Sequence, residues 1–333
     1  VCDVLKTVKW GVLGAARISE KAVIPAILQT PGCVLEAVAS RDREKARRFF
    51  SLFQPAKTYD TYTQLLNDRE VDAVYVPLPN ALHKEWVTNA LLAGKHVLCE
   101  KPLALNSLDA REMFRVARGT GKILMEGFAY IHNPLIEHLR KALQTGEIGE
   151  IRHLMTSFSF DLSKRPKDIR WSRELGGGAV YDLGCYLVHL ARYLTEKEPT
   201  VAHAVASLHP VEGVDLSATA LLRFDRGPTM SFHVSFEQSR RMFFEAQGTR
   251  GALYTERPFN ETGTLTYTVV KEEGSRTFQV ESPNNYALEI AHFNATIRAE
   301  VTPVISEEDS VHNAAILTSI LERVGYGTRT ASR

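Results

Sequence analysis

Apolar residues in the first third of the chain follow two alternating spacings. Short β-branched runs predict strands at Lys9–Leu13, Val34–Ala39, Ala73–Pro77, Lys95–Cys99 and Lys122–Met125. Between these runs, apolar residues three and four positions apart predict helices at Lys21–Leu28, Glu44–Phe50, Tyr62–Leu66, Glu85–Leu92 and Ala110–Ala117. Because strands that alternate with helices build βαβ units, we expect an α/β domain with a doubly wound parallel sheet.

The rest of the chain has a different pattern. A helix follows Pro134, and Gly146 and Gly149 then interrupt its apolar spacing. Strands are predicted at Arg152–Phe160, Thr200–Leu208, Ala218–Phe224, Thr229–Phe236, Arg241–Gln247, Ala252–Thr255, Leu265–Val270 and Arg276–Val280. Further helices are predicted at Val180–Leu194, Tyr286–Ala299 and Ser310–Val324. Consecutive strands joined by short turns favour an α+β domain with an open, mainly antiparallel sheet.

Length and composition agree with a two-domain globular protein. A chain of 333 residues exceeds what one hydrophobic core usually organises. We assign residues 1–128 to the first domain and residues 129–333 to the second, with the last helix free to pack back on the first. Apolar residues make up 44% and charged residues 24%, which excludes extended disorder.

Charge and cysteine content exclude several classes of partner. Forty Lys and Arg against thirty-nine Asp and Glu leave a net charge of +1, too little to hold nucleic acid or an anionic membrane. No apolar run is long enough to cross a bilayer and no secretion signal is visible, so we expect a cytoplasmic protein. The cysteines, Cys2, Cys33, Cys99 and Cys185, lack metal-ligand spacing and predict reduced thiols without a metal.

The first predicted strand ends where a dinucleotide fold binds pyrophosphate. Against the pattern G-x-G-x-x-G, the segment Gly11–Ser19 offers Gly14, Ala16 and Ser19. Ala16 leaves room for close backbone approach, and Ser19 can cap the following helix. An ordinary strand-to-helix connection is the alternative. The candidate cofactor contacts in this turn are Gly14, Ala16, Arg17 and Ile18.

The second predicted strand bears on the choice of coenzyme. An NAD enzyme normally places Asp or Glu here to accept hydrogen bonds from the adenine ribose, whereas this chain has Ser40 and Arg41. A guanidinium is a bidentate partner for a 2′-phosphate. We therefore predict NADP, with Ser40 and Arg41 as discriminators and Lys45 as a helper. The alternative is a solvated arginine that pairs with Asp42.

Two distant segments carry residues suited to hydride-transfer chemistry. Cys99–Pro102 ends a predicted strand at the carboxyl edge of the parallel sheet, where Lys101 could stabilise negative charge that develops on an oxygen. In the second domain, three glycines from Gly176 open a helix on which Asp182, Tyr186 and His189 follow at spacings of four and three. A surface lysine and an ordinary helix are the alternatives.

Together these segments resemble the glucose-fructose oxidoreductase, inositol dehydrogenase and MocA (Gfo/Idh/MocA) family over essentially the whole chain. The likeness is carried by Gly11–Ser19, Val71–His83, Gly94–Pro102, Gly146–Ile151, Gly176–Tyr186, Gly248–Gly251 and Tyr286–Phe293. The resemblance implies a Rossmann domain followed by an open sheet that forms homodimers or homotetramers. It also implies cofactor contacts at Leu78, Asn80, His83, Glu100 and Lys101. For His83, a capping or core role is the alternative.

The resemblance also implies the catalytic groups. The family pattern D-x-G-x-H has Tyr186 in place of its histidine, as in glucose-fructose oxidoreductase, dihydrodiol dehydrogenases and deoxysugar 3-ketoreductases. Tyrosine can exchange a proton if a cation lowers its pKa from about 10, and Lys101 is the candidate cation. Asp182 is expected to hold substrate or the lysine. We expect Lys101 and Tyr186 to converge over the nicotinamide ring.

A basic, aromatic loop completes the candidate site. Ser163–Trp171 would overhang the substrate, with Trp171 as an apolar plate and Arg170 as a donor, and a solvent loop is the alternative. The expected function is an NADP-dependent dehydrogenase or ketoreductase of a sugar or cyclic polyol. Alternatives are a trans-dihydrodiol dehydrogenase, a glucose-fructose type enzyme that retains its cofactor, and a non-catalytic NADP-binding regulator. A metal-dependent hydrolase is disfavoured because no H-E-x-x-H motif occurs.

Overall fold

The computed structural model describes residues 7–326, so Cys2 lies outside the described range. Its residues group into two compact units. The first unit contains the chain up to Ala104, Leu108–Ala129 and Tyr286–Ser310. The second contains Leu105–Ser107, Tyr130–Asn285 and the chain from Val311 onward.

The first unit is built on a six-stranded parallel sheet. Its strands are β1 (Val8–Leu13), β2 (Cys33–Ala39), β3 (Lys57–Tyr59), β4 (Ala73–Val76), β5 (His96–Glu100) and β6 (Leu124–Gly127). They lie in the order β3-β2-β1-β4-β5-β6, so the order reverses between β1 and β4 as in a dinucleotide-binding fold. All four residues of β4 are buried, as expected of a central parallel strand covered on both faces. The predicted doubly wound sheet is confirmed.

Helices connect these strands. They are a π-helical turn (Ser19–Val23), α1 (Ile24–Gln29), α2 (Arg43–Phe53), α3 (Tyr62–Leu66), α4 (His83–Leu92) and α5 (Ser107–Thr120). The sequence pattern did not predict β3, a three-residue edge strand whose side chains are all partly exposed and give no apolar run. Thr61 and Gln64 form a capping box that starts α3 directly after this strand.

The second unit is built on an eight-stranded sheet. Its strands are β7 (Ile151–Ser159), β8 (Pro199–Leu208), β9 (Asp215–Phe224), β10 (Thr229–Ser235), β11 (Arg241–Gly248), β12 (Ala252–Thr255), β13 (Gly263–Lys271) and β14 (Gly274–Ser282). In the order β14-β13-β12-β11-β7-β10-β9-β8, every neighbouring pair is antiparallel except β7 and β10. This confirms the predicted mainly antiparallel sheet.

One face of this sheet is buried and the other is open. Along β9, buried Ala218, Ala220 and Leu222 alternate with exposed Thr219 and Leu221. The remaining helices are α6 (Pro134–Gln144), α7 (Cys185–Thr195), α8 (Asn285–Ile297) and α9 (Glu307–Arg323), with a second π-helical turn at Val180–Gly184. The helices α6 and α7 contact the sheet. Among residues 7–326, no helix is both long enough and apolar enough to cross a membrane.

The helix α8 changes the predicted domain division. The sequence analysis assigned all residues after 128 to the second domain, but residues 286–310 belong to the first unit. The indole of Trp10 explains this placement, because it donates a 3.2 Å hydrogen bond to Asn294 and its ring lies 5.4 Å from that of Phe293. A buried indole N–H needs a partner, and that partner comes from a distant segment.

The contact between Trp10 and Phe293 gives a test of this placement. Phe293 is fully buried, so Phe293→Ala should lower the free energy of unfolding by about 3–5 kcal/mol. Phe50→Ala, at a phenylalanine that is 52% exposed, should change it by no more than about 0.5 kcal/mol. Urea unfolding followed by circular dichroism measures both, and equal shifts of the two variants would contradict the assignment.

Candidate active site

The turn after β1 has the geometry that close backbone approach requires. Gly14 adopts φ +114°, and its amide donates a 2.8 Å hydrogen bond to the carbonyl oxygen of Ala39 at the end of β2. A Cβ atom at Gly14 would lie 3.1 Å from Leu78, which follows β4. The turn therefore needs glycine both for its left-handed conformation and for its proximity to Leu78. Ala16, Arg17 and Ile18 continue from it into the first helical turn.

Ser19 does not cap this helix, which corrects the prediction. It is the first residue of the π-helical turn, the position before it is Ile18, and no side chain caps the helix start. Ser19 is fully buried, and its hydroxyl lacks a hydrogen-bond partner among the described residues. An unpartnered buried hydroxyl suits a turn that a bound phosphate completes.

The residues after β2 are arranged so that Asp42 does not neutralise Arg41. The Asp42 carboxylate accepts hydrogen bonds from the amides of Glu44 and Lys45 at 3.0 and 3.1 Å and so caps α2. Lys45 places its ammonium 3.8 Å from the same carboxylate. Ser40 is buried, and its hydroxyl donates a 3.0 Å bond to the Asp42 carbonyl. Exposed Arg41 lies over the Tyr62 ring, 5.5 Å from its centroid, and no ion pair links it to Asp42 in the described part of the chain.

The Glu100–Pro102 turn at the end of β5 is held by buried polar groups. Fully buried His83 places its ring nitrogens 2.9 Å from the Pro102 carbonyl oxygen and 2.8 Å from that of Leu78. Burial lowers the pKa of His83, which favours the neutral ring. The phenol of Tyr75 donates a 2.6 Å hydrogen bond to Glu100. Two elements therefore set the conformation of the segment that carries Lys101.

Two further residues, Glu126 and Asn80, lie beside these turns in the first unit. Glu126 on β6 accepts a 2.8 Å hydrogen bond from the amide of Leu103, just after the turn. Sequence reasoning missed Glu126, although an acidic residue within an apolar strand is a recognisable signal. Asn80 opens the short 3₁₀ turn Asn80–Leu82 that precedes His83. The predicted residues thus lie at two neighbouring strand ends: Leu78 and Asn80 follow β4, His83 begins α4, Glu100 ends β5, and Lys101 follows it.

In the second unit, glycines allow two other segments to approach the start of the helix that carries Tyr186, which we call the tyrosine helix. A Cβ atom at Gly177 would overlap the carbonyl of Arg170, and one at Gly178, where φ is +109°, would overlap the Asp215 carboxylate. The helix begins with the π-turn Val180–Gly184 and continues as α7. Only residues without side chains permit this approach.

Asp182 forms a two-point ion pair with Arg170. The guanidinium Nε and Nη2 atoms lie 2.6 and 3.2 Å from the two carboxylate oxygens, and Asp168 lies 3.1 Å from Nη1. Trp171 donates from its indole to the Arg165 carbonyl at 2.8 Å and contacts Phe236. The basic loop is therefore ordered by specific contacts, and Asp182 and Arg170 act as one unit.

Tyr186 is enclosed by aromatic rings. Its ring centroid lies 5.5 Å from Tyr130, 5.8 Å from Phe158 and 5.2 Å from Phe259, and the residue is 8% exposed. Its phenol oxygen accepts a 3.0 Å hydrogen bond from the side-chain amide of Asn260. Sequence reasoning missed Asn260, which lies in the loop between β12 and β13 with φ +49°.

His189 is engaged in the core. The Tyr130 hydroxyl lies 2.5 Å from His189 Nδ1, and both residues are buried. The sequence spacing predicts Asp182, Tyr186 and His189 on one helical face, but Asp182 pairs with Arg170, whereas Tyr186 and His189 both contact Tyr130. The π-turn explains part of the difference, because its five-residue hydrogen bonding changes the angular spacing before Cys185.

Asp215 is a third residue that the sequence pattern did not predict. It opens β9, is fully buried, and accepts a 2.7 Å hydrogen bond from the amide of Val180 at the helix start. Its other carboxylate oxygen has no hydrogen-bond partner among the described residues. Burial raises the pKa of Asp215 to about 7. The carboxyl group ties the first turn of the tyrosine helix to the sheet.

No metal centre accompanies these groups in the described part of the chain. Residues 7–326 contain no cluster of three or more His, Cys, Asp or Glu side chains placed to hold a metal ion. Among the described residues, Cys33, Cys99 and Cys185 form no disulfide. The candidate functional groups are a dinucleotide-type turn, a lysine at a strand end and a tyrosine in an apolar enclosure. This combination of groups is typical of an oxidoreductase.

Comparison with known proteins identifies the family. Residues 8–128 match the model of the oxidoreductase family with an NAD-binding Rossmann fold, and residues 136–254 match the GFO/IDH/MocA C-terminal domain. The chain is 34% identical over 322 residues to D-xylose 1-dehydrogenase (NADP(+)) 2 of Haloferax volcanii, covering 96% of this chain and 98% of the relative. The chain belongs to the Gfo/Idh/MocA family of oxidoreductases, as its motifs predicted.

A deoxysugar reductase is similarly related. The dTDP-3,4-didehydro-2,6-dideoxy-alpha-D-glucose 3-reductase of Actinomadura kijaniata is 33% identical over 315 residues, covering 94% of each chain. The crystal structure of a 3-ketoreductase from the same organism, in complex with NADP and TDP-benzene, superposes with a TM-score of 0.92 at 32% identity. That match covers 96% of this chain and 98% of the other.

The pKa of Asp215 predicts a pH dependence of stability. Between about pH 4 and pH 7 the folded chain keeps a proton that the unfolded chain has released, so this group makes the fold less stable as the pH rises through that range. Asp215→Asn keeps an oxygen that can accept from Val180 and cannot ionise, so its stability should fall less between pH 5 and pH 8. Urea unfolding midpoints at the two pH values measure this difference.

Asp225→Asn, at an exposed turn, is the matched control and should retain the wild-type pH dependence. If Asp215→Asn and the wild-type protein lose stability equally between pH 5 and pH 8, Asp215 does not carry the buried proton.

Proposed function

We propose that the protein is an NADP-dependent oxidoreductase that moves a hydride to or from a hydroxyl- or keto-bearing carbon of a sugar or cyclic polyol. The observation that carries the proposal is the setting of Tyr186, a phenol enclosed by aromatic rings whose oxygen accepts a hydrogen bond. The family is one of oxidoreductases, and relatives act on xylose and on a dTDP-linked keto sugar.

The first unit supports NADP as the coenzyme. Gly14, Ala16, Arg17 and Ile18 form a tight turn whose first glycine admits close backbone approach, as pyrophosphate binding requires. Because the Asp42 carboxylate caps α2, the exposed Arg41 guanidinium is the group we assign to the 2′-phosphate. Ser40 shapes this turn, and Lys45 adds positive charge beside it. A relative of known structure was crystallised with NADP.

When bound, NADPH supplies the hydride that a carbonyl carbon receives. The side chains of this chain manage the accompanying proton and charge. Tyr186 gives its phenolic proton to the carbonyl oxygen, which completes the alcohol, and then regains a proton from solvent. Lys101 lowers the pKa of the tyrosine and donates a hydrogen bond to the reacting oxygen. In the oxidation direction the same groups act in reverse, with tyrosinate accepting the alcohol proton.

We assign Asp182 and Arg170 to the polar side of the substrate site. Their two-point ion pair presents a fixed set of donors and acceptors beside the helix start, and Trp171 adds an apolar plate. Sugar recognition in proteins combines such directional polar groups with an aromatic surface. In this arrangement Asp182 acts through Arg170 and substrate hydroxyls.

We further propose that the open face of the second-unit sheet joins two or more copies of the chain. Exposed Met155, Val205 and Leu221 lie on that face, on β7, β8 and β9. The pairing register places Ser231 of β10 between Met155 and Leu221. Apolar side chains exposed together on one sheet face are typical of an interaction surface. A homodimer or homotetramer would cover them.

Removal of either proposed catalytic group should strongly lower kcat, while the protein still binds NADPH. Tyr186→Phe should lower kcat by about 10²–10⁴-fold and Lys101→Ala by about 10²–10³-fold, because proton exchange and charge stabilisation are lost. NADPH oxidation is measured against keto sugars, aldoses, nucleotide-linked keto sugars and, in reverse, a trans-dihydrodiol. Tyr254→Phe, on β12 where the Tyr254 ring stacks on Phe243, is the matched control and should keep wild-type kcat.

The alternatives predict different results in this assay. Tight NADPH binding without turnover on any substrate would contradict the proposal and favour a non-catalytic regulator. Turnover in which the coenzyme never dissociates from the protein would indicate the glucose-fructose type of reaction. Wild-type kcat in Tyr186→Phe would remove the tyrosine from the mechanism.

Coenzyme choice is tested at Arg41. Arg41→Ala should weaken NADP binding by about 10–100-fold and leave NAD binding nearly unchanged, because a charge-assisted contact to the 2′-phosphate is lost. Fluorescence titration gives both dissociation constants. Arg47→Ala, at an exposed arginine on the helix α2 that follows Arg41, should preserve their ratio. A wild-type protein that prefers NAD would overturn the assignment.

A further inference from the structure

Asn260 is placed to act on the oxygen of Tyr186. Its side-chain nitrogen lies 3.0 Å from the phenol oxygen and donates a hydrogen bond to it, across 74 residues of sequence. The backbone of Asn260 is left-handed, with φ +49°, a conformation that asparagine adopts more readily than most residues. Its side-chain carbonyl is buried and has no hydrogen-bond partner among the described residues. Both the left-handed backbone and the unpaired buried carbonyl cost stability, and the loop nevertheless directs the Asn260 amide at Tyr186.

The surroundings make this hydrogen bond effective. Tyr130, Phe158 and Phe259 pack around the Tyr186 ring, and Phe158 stacks on Phe259 at 5.5 Å. These rings leave Tyr186 only 8% exposed, so a donor beside its oxygen has a larger effect than in solvent. The neighbouring hydroxyl of Tyr130 is already bonded to His189.

We propose that Asn260 is a positioning residue of the reaction, which orients the hydroxyl proton of Tyr186 and stabilises the tyrosinate. The proposal rests on the function proposed above, in which Tyr186 exchanges a proton with the substrate. The Asn260 amide occupies one lone pair of the phenol oxygen, so the hydroxyl hydrogen must point away from Asn260. That arrangement directs the proton outward for transfer to a substrate oxygen.

The same contact serves both protonation states. When the proton moves from Tyr186 to the substrate oxygen, negative charge forms on the phenol oxygen, and the Asn260 amide then donates to a charged acceptor. Asn260 keeps its own protons throughout, and Tyr186 regains its proton from solvent. Because the charged state gains more from the donor than the neutral state, the contact lowers the pKa of Tyr186.

Other titratable groups around Tyr186 do not duplicate this role. Burial raises the pKa of Tyr130 well above its ordinary value, so Tyr130 stays neutral beside His189. Asp182, on the same helical segment, is paired with Arg170. Glu261, next to Asn260, is paired with Arg240. The proposed mechanism adds the ammonium of Lys101.

The test uses two substitutions that tolerate the left-handed backbone. Asn260→Gly removes the amide without backbone strain, and Asn260→Asp keeps the shape but replaces the donor with a carboxylate at neutral pH. For alcohol oxidation, Asn260→Gly should lower kcat about 10–100-fold near neutral pH. The pH at which kcat rises should move up by about one pH unit or more, because tyrosinate is less stable without the Asn260 donor.

Asn260→Asp should be less active than Asn260→Gly at neutral pH, since its carboxylate repels tyrosinate. For both variants, the dissociation constant of NADPH and the KM of the substrate should change by less than about threefold, which a disordered site would not allow. Gln54→Gly, at another left-handed position with φ 46°, is the backbone control and should match the wild-type protein.

A double-mutant cycle separates this proposal from the proposed function. In a Tyr186→Phe background, Asn260→Gly should cause no further loss of kcat, because the acceptor of its hydrogen bond is gone. If Tyr186→Phe itself turns over normally, the proposed function fails. If Tyr186→Phe is inactive but Asn260→Gly keeps the wild-type pH profile, or if Asn260→Asp is fully active at neutral pH, the positioning role alone is overturned.

Discussion

The second unit depends on a close backbone approach at Gly177 and Gly178. There the Arg170 segment and the Asp215 carboxylate lie where side chains would otherwise stand. Because of this approach, the Asp215 carboxylate accepts a hydrogen bond from the Val180 amide, and Arg170 forms its ion pair with Asp182. The start of the tyrosine helix is thereby tied on one side to a strand and on the other to the basic loop. A methyl group at either glycine would separate these elements.

Buried polar groups form hydrogen bonds that restrain the segments around Lys101 and Tyr186. His83 links the connections after β4 and β5, and Glu126 on β6 binds the amide that follows the lysine turn. In the second unit, His189 and Tyr130 form a bonded pair beneath the Tyr186 ring. Such groups are costly to bury unless each has a partner, and once partnered they fix the backbone around them. The segments that carry Lys101 and Tyr186 are each restrained in this way within their own unit.

Helix capping determines which groups Asp42 contacts in the first unit. The Asp42 carboxylate caps α2, which satisfies two amides that would otherwise lack partners. Its negative charge is thereby directed to the helix start, and Arg41 lies over an aromatic ring. One acidic residue next to a basic one in sequence therefore does not imply an ion pair, because the helix N-terminus competes for the carboxylate.

The sequence by itself determined both sheets, nearly all strands and helices, the phosphate-type turn and the family. These features depend on local spacing and on motifs whose residues are close together in the chain. Only the tertiary structure decided that α8 joins the first unit, that Ser19 lies buried instead of capping, and that Asp182 is held by Arg170. It also showed the buried hydrogen bonds that Glu126 makes in the first unit and that Asp215 and Asn260 make in the second. Glu126 stands out in the sequence as an acidic residue within an apolar strand, but no local pattern marks Asp215 or Asn260, because a buried hydrogen bond is defined by two groups that only the folded chain brings within 3 Å or so of each other.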